Sequence, residues 1–402
     1  MSHLSFMEKL LEDFEVEWKP LGEELIRTKG TKITASQMKE LHKDGTPLKI
    51  FAGGKTTAFI NFEDIPEKNV NREPSIIVKS RGVIEFEYYD KPFSHKNEMW
   101  SYHSKNEDVN IKYVYYYLKL NEPYFQNIGS KMQMPQIATP DTDRYHIPIP
   151  PLAIQAEIVR ILDTFTELTA ELTAELTAEL TARKKQYNYY RDKLLTFEEG
   201  KVEWKPLGKV GKFTRGNGLQ KSDFTESGVG CIHYGQIYTY YGNFAYKTKS
   251  FVSPILATKL RKVQQGDLII ATTSENIEDV CKPLVWLGED EICVSGETYI
   301  FKHNQNPKYL AYYLQTPMFF DYKKQNRTGT KVIRVHGDKL ADFQIPIPPI
   351  DEQARIVAIL DKFDALTNSI TEGLPREIKL RLQQYEYYRN LLLSFPKTFK
   401  GK

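Results

Sequence analysis

The chain has 402 residues, 41% of them hydrophobic and 27% charged, an ordinary globular profile long enough for two or three cores. Mean hydropathy is −0.49 and no apolar run approaches the length of a membrane-spanning helix, which excludes a bilayer-spanning helical protein. A net charge of +3 and a pI near 8.4 do not by themselves declare a polyanionic partner.

The N-terminal segment, residues 1–22, opens Met1-Ser-His-Leu without a basic stretch followed by an apolar core, so no export signal is expected. Cys231, Cys281 and Cys293 form an odd set without metal-ligand spacing, which fits a reducing, cytoplasmic setting and no bound metal. Val16-Glu-Trp-Lys-Pro-Leu-Gly22 then begins a pattern that recurs. It returns unchanged as Val202–Gly208. Three later blocks return 198 positions on: Ile147-Pro-Ile-Pro-Pro151 at Ile345, Ile158-Val-Arg-Ile-Leu-Asp at Ile356, and Arg183–Arg191 at Arg381. A duplication of this length implies two similar structural units.

Between the repeated blocks lie two divergent inserts, residues 23–146 and 209–344. The first carries 18 Lys/Arg against 17 Asp/Glu, the second 18 against 13. Short β-branched runs such as Ser75–Val78 and Asp267–Ala271, separated by Gly/Asn turns, predict mixed strands and short helices, hence an α+β class. Lys112-Tyr-Val-Tyr-Tyr-Tyr-Leu118 resembles Lys308–Leu314, and Gly129-Ser-Lys131 resembles Gly329-Thr-Lys331.

The repeat regions, residues 147–208 and 345–402, read as long helices opened by Pro-Pro. Apolar residues at Ile154, Ile158, Ile161, Phe165, Leu168 and Leu172 step by fours and threes, a coiled-coil seam. Thr-Ala-Glu-Leu tetrads then place Leu168, Leu172, Leu176 and Leu180 four apart, a stutter in that seam and the candidate spacer. Each tetrad adds about 6 Å of helix, and a helix from Ile154 to Phe197 spans roughly 65 Å. The second helix keeps the same seam from Ile356 through Ile370 to Phe395, with Gly373 and Pro375 predicting a kink or break. Glu167, Glu171, Glu175 and Glu179 form a solvated face.

Two related domains joined by equal, antiparallel helices imply pseudo-two-fold symmetry, which suits DNA, whose backbone shares that symmetry. Divergent inserts imply unlike half-sites separated by a gap. The duplicated Ile-Pro-Ile-Pro-Pro stop, the Gln-Ala-x-Ile-Val opening and the Tyr-x-Tyr-Tyr-Arg helix end resemble the specificity subunit of Type I DNA restriction–modification enzymes, over nearly the whole chain. The tetrads resemble one subgroup of it, in which tetrad number alters the spacer. The resemblance implies a chain without catalysis of its own that binds double-stranded DNA. It also implies two modification subunits, which use S-adenosylmethionine to methylate adenine, and restriction subunits, which use ATP and Mg²⁺. A stand-alone two-headed DNA-binding regulator and a protein-only coiled-coil scaffold are the rival readings.

Candidate DNA contacts are polar or small residues in loops after buried strands: Lys79, Ser80, Arg81 and Gly82 in the first insert, and Thr272, Thr273 and Ser274 in the second. Ser130, Lys131, Gln133, Thr330, Lys331, Arg327, Arg334 and Arg215 join them. Against each stands an ordinary polar loop. Tyr189, Tyr190, Tyr387 and Tyr388 are candidates for docking partner subunits, against plain helix packing. Gly53-Gly-Lys-Thr56 has Lys49 where a phosphate-binding loop needs glycine, so it reads as a turn. Asn306-Pro-Lys-Tyr309 approaches an adenine-methyltransferase motif but reads as a helix start.

Overall fold

The computed structural model describes residues 16–130, 133–198, 200–368 and 373–395. The segment before Val16, Lys131 and the seam residue Ile370 therefore lie outside the described residues. The architecture is α+β, in two compact units: residues 1–173 with 380–402, and residues 174–379. Among the described residues no helix is long and apolar enough to cross a membrane.

In the first unit, strand β1 (Glu17–Pro20) is followed by β2 (Leu25–Lys29), β3 (Leu48–Phe51), β4 (Thr57–Ile60), β5 (Ser75–Lys79), β6 (Glu85–Tyr89), β7 (Phe93–His95) and β8 (Trp100–Ser104). Helices α1 (Ile111–Leu120) and α2 (Glu122–Gly129), strand β9 (His146–Ile149) and the long helix α3 (Leu152–Leu194) complete it, α3 continuing past Thr173 into the second unit. The main sheet is antiparallel with order β2-β8-β5-β6, beside a smaller β4-β3-β7 sheet. Gly53-Gly-Lys-Thr56 is the β3–β4 turn, with Gly54 at φ +66°.

The second unit repeats the plan. Strands β10 (Glu203–Pro206), β11 (Gly211–Arg215), β12 (Val229–Ile232), β13 (Phe244–Ala245), β14 (Ser250–Val252), β15 (Lys262–Val263) and β16 (Leu268–Ala271) come first. Then follow β17 (Thr273–Ser274), β18 (Lys282–Trp286), β19 (Ile292–Val294), β20 (Thr298–His303), helices α4 (Pro307–Tyr313) and α5 (Pro317–Asn326), and strands β21 (Ile333–Arg334) and β22 (Gln344–Ile347). The main sheet runs β11-β20-β16-β18-β13, beside β14-β12-β19-β15. Helix α6 (Ile350–Asn368) follows, and α7 (Gly373–Leu392) ends in the first unit.

The repeated motifs meet in space. Glu17–Pro20 pairs antiparallel with His146–Ile149, opposing Trp18 to Pro148, and Glu203–Pro206 pairs with Gln344–Ile347, opposing Trp204 to Pro346. A two-stranded ribbon can carry these prolines because its strands are edges. Each ribbon is tied to its domain by a tyrosine: Tyr113 donates to Pro148 O and Tyr309 to Pro346 O, both at 2.9 Å.

Each insert is also clamped to the helix that follows it. Gln155 is fully buried, accepts from Asn110 N (2.8 Å) and donates to Pro150 O (2.7 Å) and Asp108 O (3.1 Å). Gln353, equally buried, accepts from Asn306 N (3.0 Å) and donates to Pro348 O (2.9 Å). One helical face further on, Asp163 takes Lys112 Nζ (2.7 Å) and Tyr116 OH (2.6 Å), and Asp361 takes Lys308 Nζ (2.6 Å) and Tyr312 OH (2.7 Å). Asn306 caps α4 through Lys308 N and Tyr309 N, so the Asn-Pro-Lys-Tyr segment is the expected helix start.

The seam behaves differently along its length. Ile154 and Ile158 are buried, but with Leu162, off the seam, they join the insert's core of Tyr113, Tyr117 and Leu118. A helix with two partners needs two apolar stripes, and the heptad pattern describes only one. Farther along, Phe165 packs on Tyr388 (5.4 Å between ring centroids) and Thr166 meets Tyr385 OH (3.1 Å). Rising numbers in α3 meet falling numbers in α7, so within this unit the segments are antiparallel. In the second unit Tyr187 and Tyr190 pack on Phe363 at 6.4 and 5.5 Å. The second long helix is broken, as Gly373 and Pro375 imply. Gly373 has φ +75°, and a Cβ there would lie 2.5 Å from Ala365 O. Leu172, Leu176 and Leu180 are half-buried, Leu168 is 55% exposed, and the four tetrad glutamates are exposed.

Replacing Gln155 by Leu leaves the buried Pro150 carbonyl and the partly buried Asn110 N–H and Asp108 carbonyl without their partner, each costing on the order of 1 kcal/mol. Gln155→Leu is expected to destabilise the first unit by roughly 2–4 kcal/mol in denaturant unfolding.

Candidate nucleic-acid interface

In the first unit the fully buried strand Ile76-Ile-Val78 delivers the chain to a surface loop. Lys79 stays inside, 5% exposed, held by Glu85 (2.6 Å) and Glu87 (2.8 Å) across the β5–β6 ladder. Burial disfavours its charge, yet the two carboxylates hold the ammonium above the usual lysine range. Ser80 is buried too, its Oγ donating to Glu98 O at 2.7 Å. These two residues shape the loop from beneath. Arg81, Gly82 and Val83 reach solvent, Gly82 in a left-handed turn at φ +75°. A second loop is zipped to this one: Gly82 N donates to Pro135 O (2.9 Å), Ile137 N to Ser80 O (3.0 Å), and Arg81 bridges Gln136. Its exposed residues include Ser130, Gln133 and Met134, and Lys131 lies outside the described residues.

The second unit builds the same feature. Leu268–Ala271 is fully buried, Thr272 (4% exposed) donates to Glu297 O (3.3 Å), and Val335 N donates to Thr272 O (3.2 Å). The ladders give the equivalence: Val78 faces Trp100 and Ile270 faces Tyr299, so Ser80 corresponds to Thr272 and Glu98 to Glu297. Thr273 and Ser274 pair with Arg334 and Ile333. Thr273 is 7% exposed and Ser274 half-buried.

Three of the expected residues converge on one carboxylate that the sequence reading missed. Glu297 accepts from Thr273 Oγ1 (2.5 Å) and Arg334 Nη2 (2.9 Å), and pairs with Arg215 Nη2 (3.4 Å). Arg334 Nε also donates to Thr273 Oγ1 (3.2 Å), and Arg215 Nε to Gly296 O (3.0 Å). Partial burial opposes ionisation, but the hydroxyl and the guanidinium groups hold Glu297 below the usual carboxylate range. Glu98 is likewise held low against partial burial, chiefly by Lys96 at 2.8 Å with Arg81 adding its field. Such partly exposed pairs contribute only about 0–1 kcal/mol each to stability. The sole local signal was a glutamate two residues before an aromatic, Trp100 or Tyr299, which is too weak to find from sequence.

The two Gly-x-Lys segments are not equivalent. Gly329 (φ +84°) turns a tight loop closed by Thr328 N to Arg334 O (2.7 Å) and Arg334 N to Thr328 O (2.9 Å). Arg327, Thr330, Lys331 and Val332 are exposed along this loop. Gly129 instead ends helix α2 in a buried site, where a Cβ would lie 2.2 Å from Ile84 Cδ1, and Gly129 O accepts from Gln136 N. The hydrogen bonding aligns Gly129 with Thr328, one position out of register with the sequence match.

Of the four tyrosines, Tyr190 stacks on Phe363 and Tyr388 packs on Phe165. Tyr189 and Tyr387 are 60% and 48% exposed, each edge-on to its neighbour in the next position.

Two matched domains thus present differing loops through a shared frame. The family model of the Type I restriction modification DNA specificity domain matches residues 23–182 and again 200–380. The chain belongs to that family. It is 36% identical, over 99% of this chain and 98% of the other, to the Type I restriction enzyme EcoR124I/EcoR124II specificity subunit of Escherichia coli. It is 34% identical to a putative type I restriction enzyme specificity subunit of Haemophilus influenzae, over 97% and 98%. Its fold is that of the type I restriction–modification S subunit of M. genitalium (TM-score 0.50, 16% identity, covering 96% and 98%). It is also that of a chain solved in work on complex assembly and conformational transition of the type I R-M system (TM-score 0.61, 14% identity, covering 94% and 97%). As a member of this family the chain supplies DNA sequence specificity and is not itself the catalyst.

Because a Cβ on Gly329 would lie 2.1 Å from Val332 O, Gly329→Ala must open the loop. It is expected to cost about 1–2 kcal/mol in the second unit. Thermal unfolding followed in parallel with DNA affinity at fixed salt checks this, affinity falling while the first unit's transition stays put.

Proposed function

We propose that residues 23–146 and 209–344 are two target-recognition domains, each reading one half of an asymmetric, bipartite double-stranded DNA site. The observation that carries this is the pair of equivalent loop clusters on matched frames, chemically unlike at their exposed positions. One presents Arg81, Gly82, Val83 and Gln133, the other Arg327, Thr330, Lys331 and Val332. Arg and Gln suit bidentate contacts to base edges, while Lys, Thr and backbone at glycine suit phosphate. Arg215 and Arg334 lie beside the second cluster, while buried Lys79, Ser80, Thr272 and Thr273 support from below.

In this reading the chain belongs to the Thr-Ala-Glu-Leu subgroup, and Leu168, Leu172, Leu176 and Leu180 mark the spacer that sets the gap. Its partners are two modification subunits and restriction subunits, the exposed Tyr189 and Tyr387 offering docking surface. S-adenosylmethionine, ATP and Mg²⁺ bind those partners, and the assembly acts in the cytoplasm on foreign DNA. The relative from Escherichia coli, named as a subunit of a Type I restriction enzyme, supports assembly over a stand-alone regulator.

Exchanging residues 23–146 for another insert is expected to change one half of the methylated motif and spare the other. Single-molecule mapping of methylated adenines reads this directly, and an unaltered motif would refute the assignment. Removing one tetrad shortens the helix by about 6 Å. The gap is then expected to shrink by about one base pair and by no more than about two, at roughly 3.4 Å each. The same mapping decides it, since an unchanged gap excludes a spacer role.

A further inference from the structure

A carboxylate on a DNA-reading face repels phosphate, so its presence there requires an account. Glu98 and Glu297 occupy the same place in the two domains. Each lies two residues before the aromatic that faces the central buried strand, and each offers its backbone oxygen to a buried hydroxyl, Ser80 or Thr272. Each directs its carboxylate at cations: Lys96 at 2.8 Å in the first domain and, in the second, two residues of the candidate interface, Arg334 at 2.9 Å and Arg215 at 3.4 Å. The partners differ while the anchor does not. Partly exposed pairs of this kind add little to stability, so fold maintenance is a weak reason for the repeated carboxylate.

We propose that Glu297, and Glu98 in the matching position, are positioning residues for sequence readout: the carboxylate holds the cationic side chains of its loop in one orientation before DNA arrives. This rests on the reading of these loops as DNA contacts. An arginine free to sample many rotamers loses that freedom on binding and can meet several base patterns. One held by Glu297 and the Thr273 hydroxyl meets DNA with its guanidinium plane already set. Because Arg recognition of guanine depends on that plane, fixing it converts an electrostatic contact into a discriminating one. The first domain uses the same anchor with a lysine, Lys96, so its anchored cation acts as a point charge rather than a planar group.

The test is Glu297→Gln in the complete, coexpressed restriction–modification system, read by genome-wide mapping of methylated adenines and by the melting temperature of the purified chain. The expected result is a second half-site in which preference at one or two base positions falls about tenfold or more. The first half-site, the gap and the melting temperature are unchanged. Glu98→Gln is expected to blur the first half-site alone. Thr273→Val removes the hydroxyl that bridges Glu297 and Arg334 without altering charge, and is expected to blur the same positions as Glu297→Gln. If Arg334→Ala or Arg215→Ala degrades the second half-site while Glu297→Gln and Thr273→Val leave every preference within twofold, the positioning role is overturned and the DNA-contact reading stands. If all four variants leave the motif intact, the reading of this face fails and the proposal with it. Should Glu297→Gln not fold, an unchanged motif for Thr273→Val is sufficient to overturn the proposal.

Discussion

Everything the two domains present to solvent depends on how firmly each is fixed to the frame, and that rests on one buried amide per domain. Gln155 and Gln353 satisfy backbone groups of the segment entering α1 or α4 and the proline carbonyl that precedes the long helix. An amide can do this because it donates and accepts at once, and burial makes each bond costly to leave unmade. The Asp163 and Asp361 clamps add a second point of attachment farther along the same helix. Two points on one rigid helix fix an orientation where one would leave a pivot.

The domains above these joints follow a different logic. Their central strands are sealed on both faces, so the loops leaving them begin from fixed positions. The residues just past each strand are divided in role by burial alone. Lys79, Ser80, Thr272 and Thr273 turn inward and satisfy neighbours, while Arg81, Gly82 and the Gly329 loop turn outward. Sequence difference between the domains is thereby concentrated where it alters chemistry at the surface without disturbing the frame.

The duplicated frame, the α+β class, the helix break at Gly373 and the turn at Gly53–Thr56 were legible because each is written in short-range patterns: repeats, proline placement, glycine conformation and apolar spacing. The loops were legible only as neighbourhoods. Lys79 looked like a surface cation because Glu85 and Glu87 are placed against it by strand pairing. Gly129 and Gly329 looked alike because the letters match, although one closes a helix and the other a left-handed turn. The heptad seam correctly marked the helices but ran on into residues that serve the domain core.

By itself the amino-acid sequence determined that the chain is two copies of one plan with unlike inserts, since tandem blocks and helical periodicity survive as linear patterns. The tertiary structure alone decided that the Trp-Lys-Pro and Ile-Pro-Ile motifs are partners in a ribbon, and that Glu98 and Glu297 occupy equivalent positions in the two domains. Those facts depend on the register of strands far apart in the chain. A one-residue slip in that register would send every side chain to the other face, and nothing local in the sequence records it.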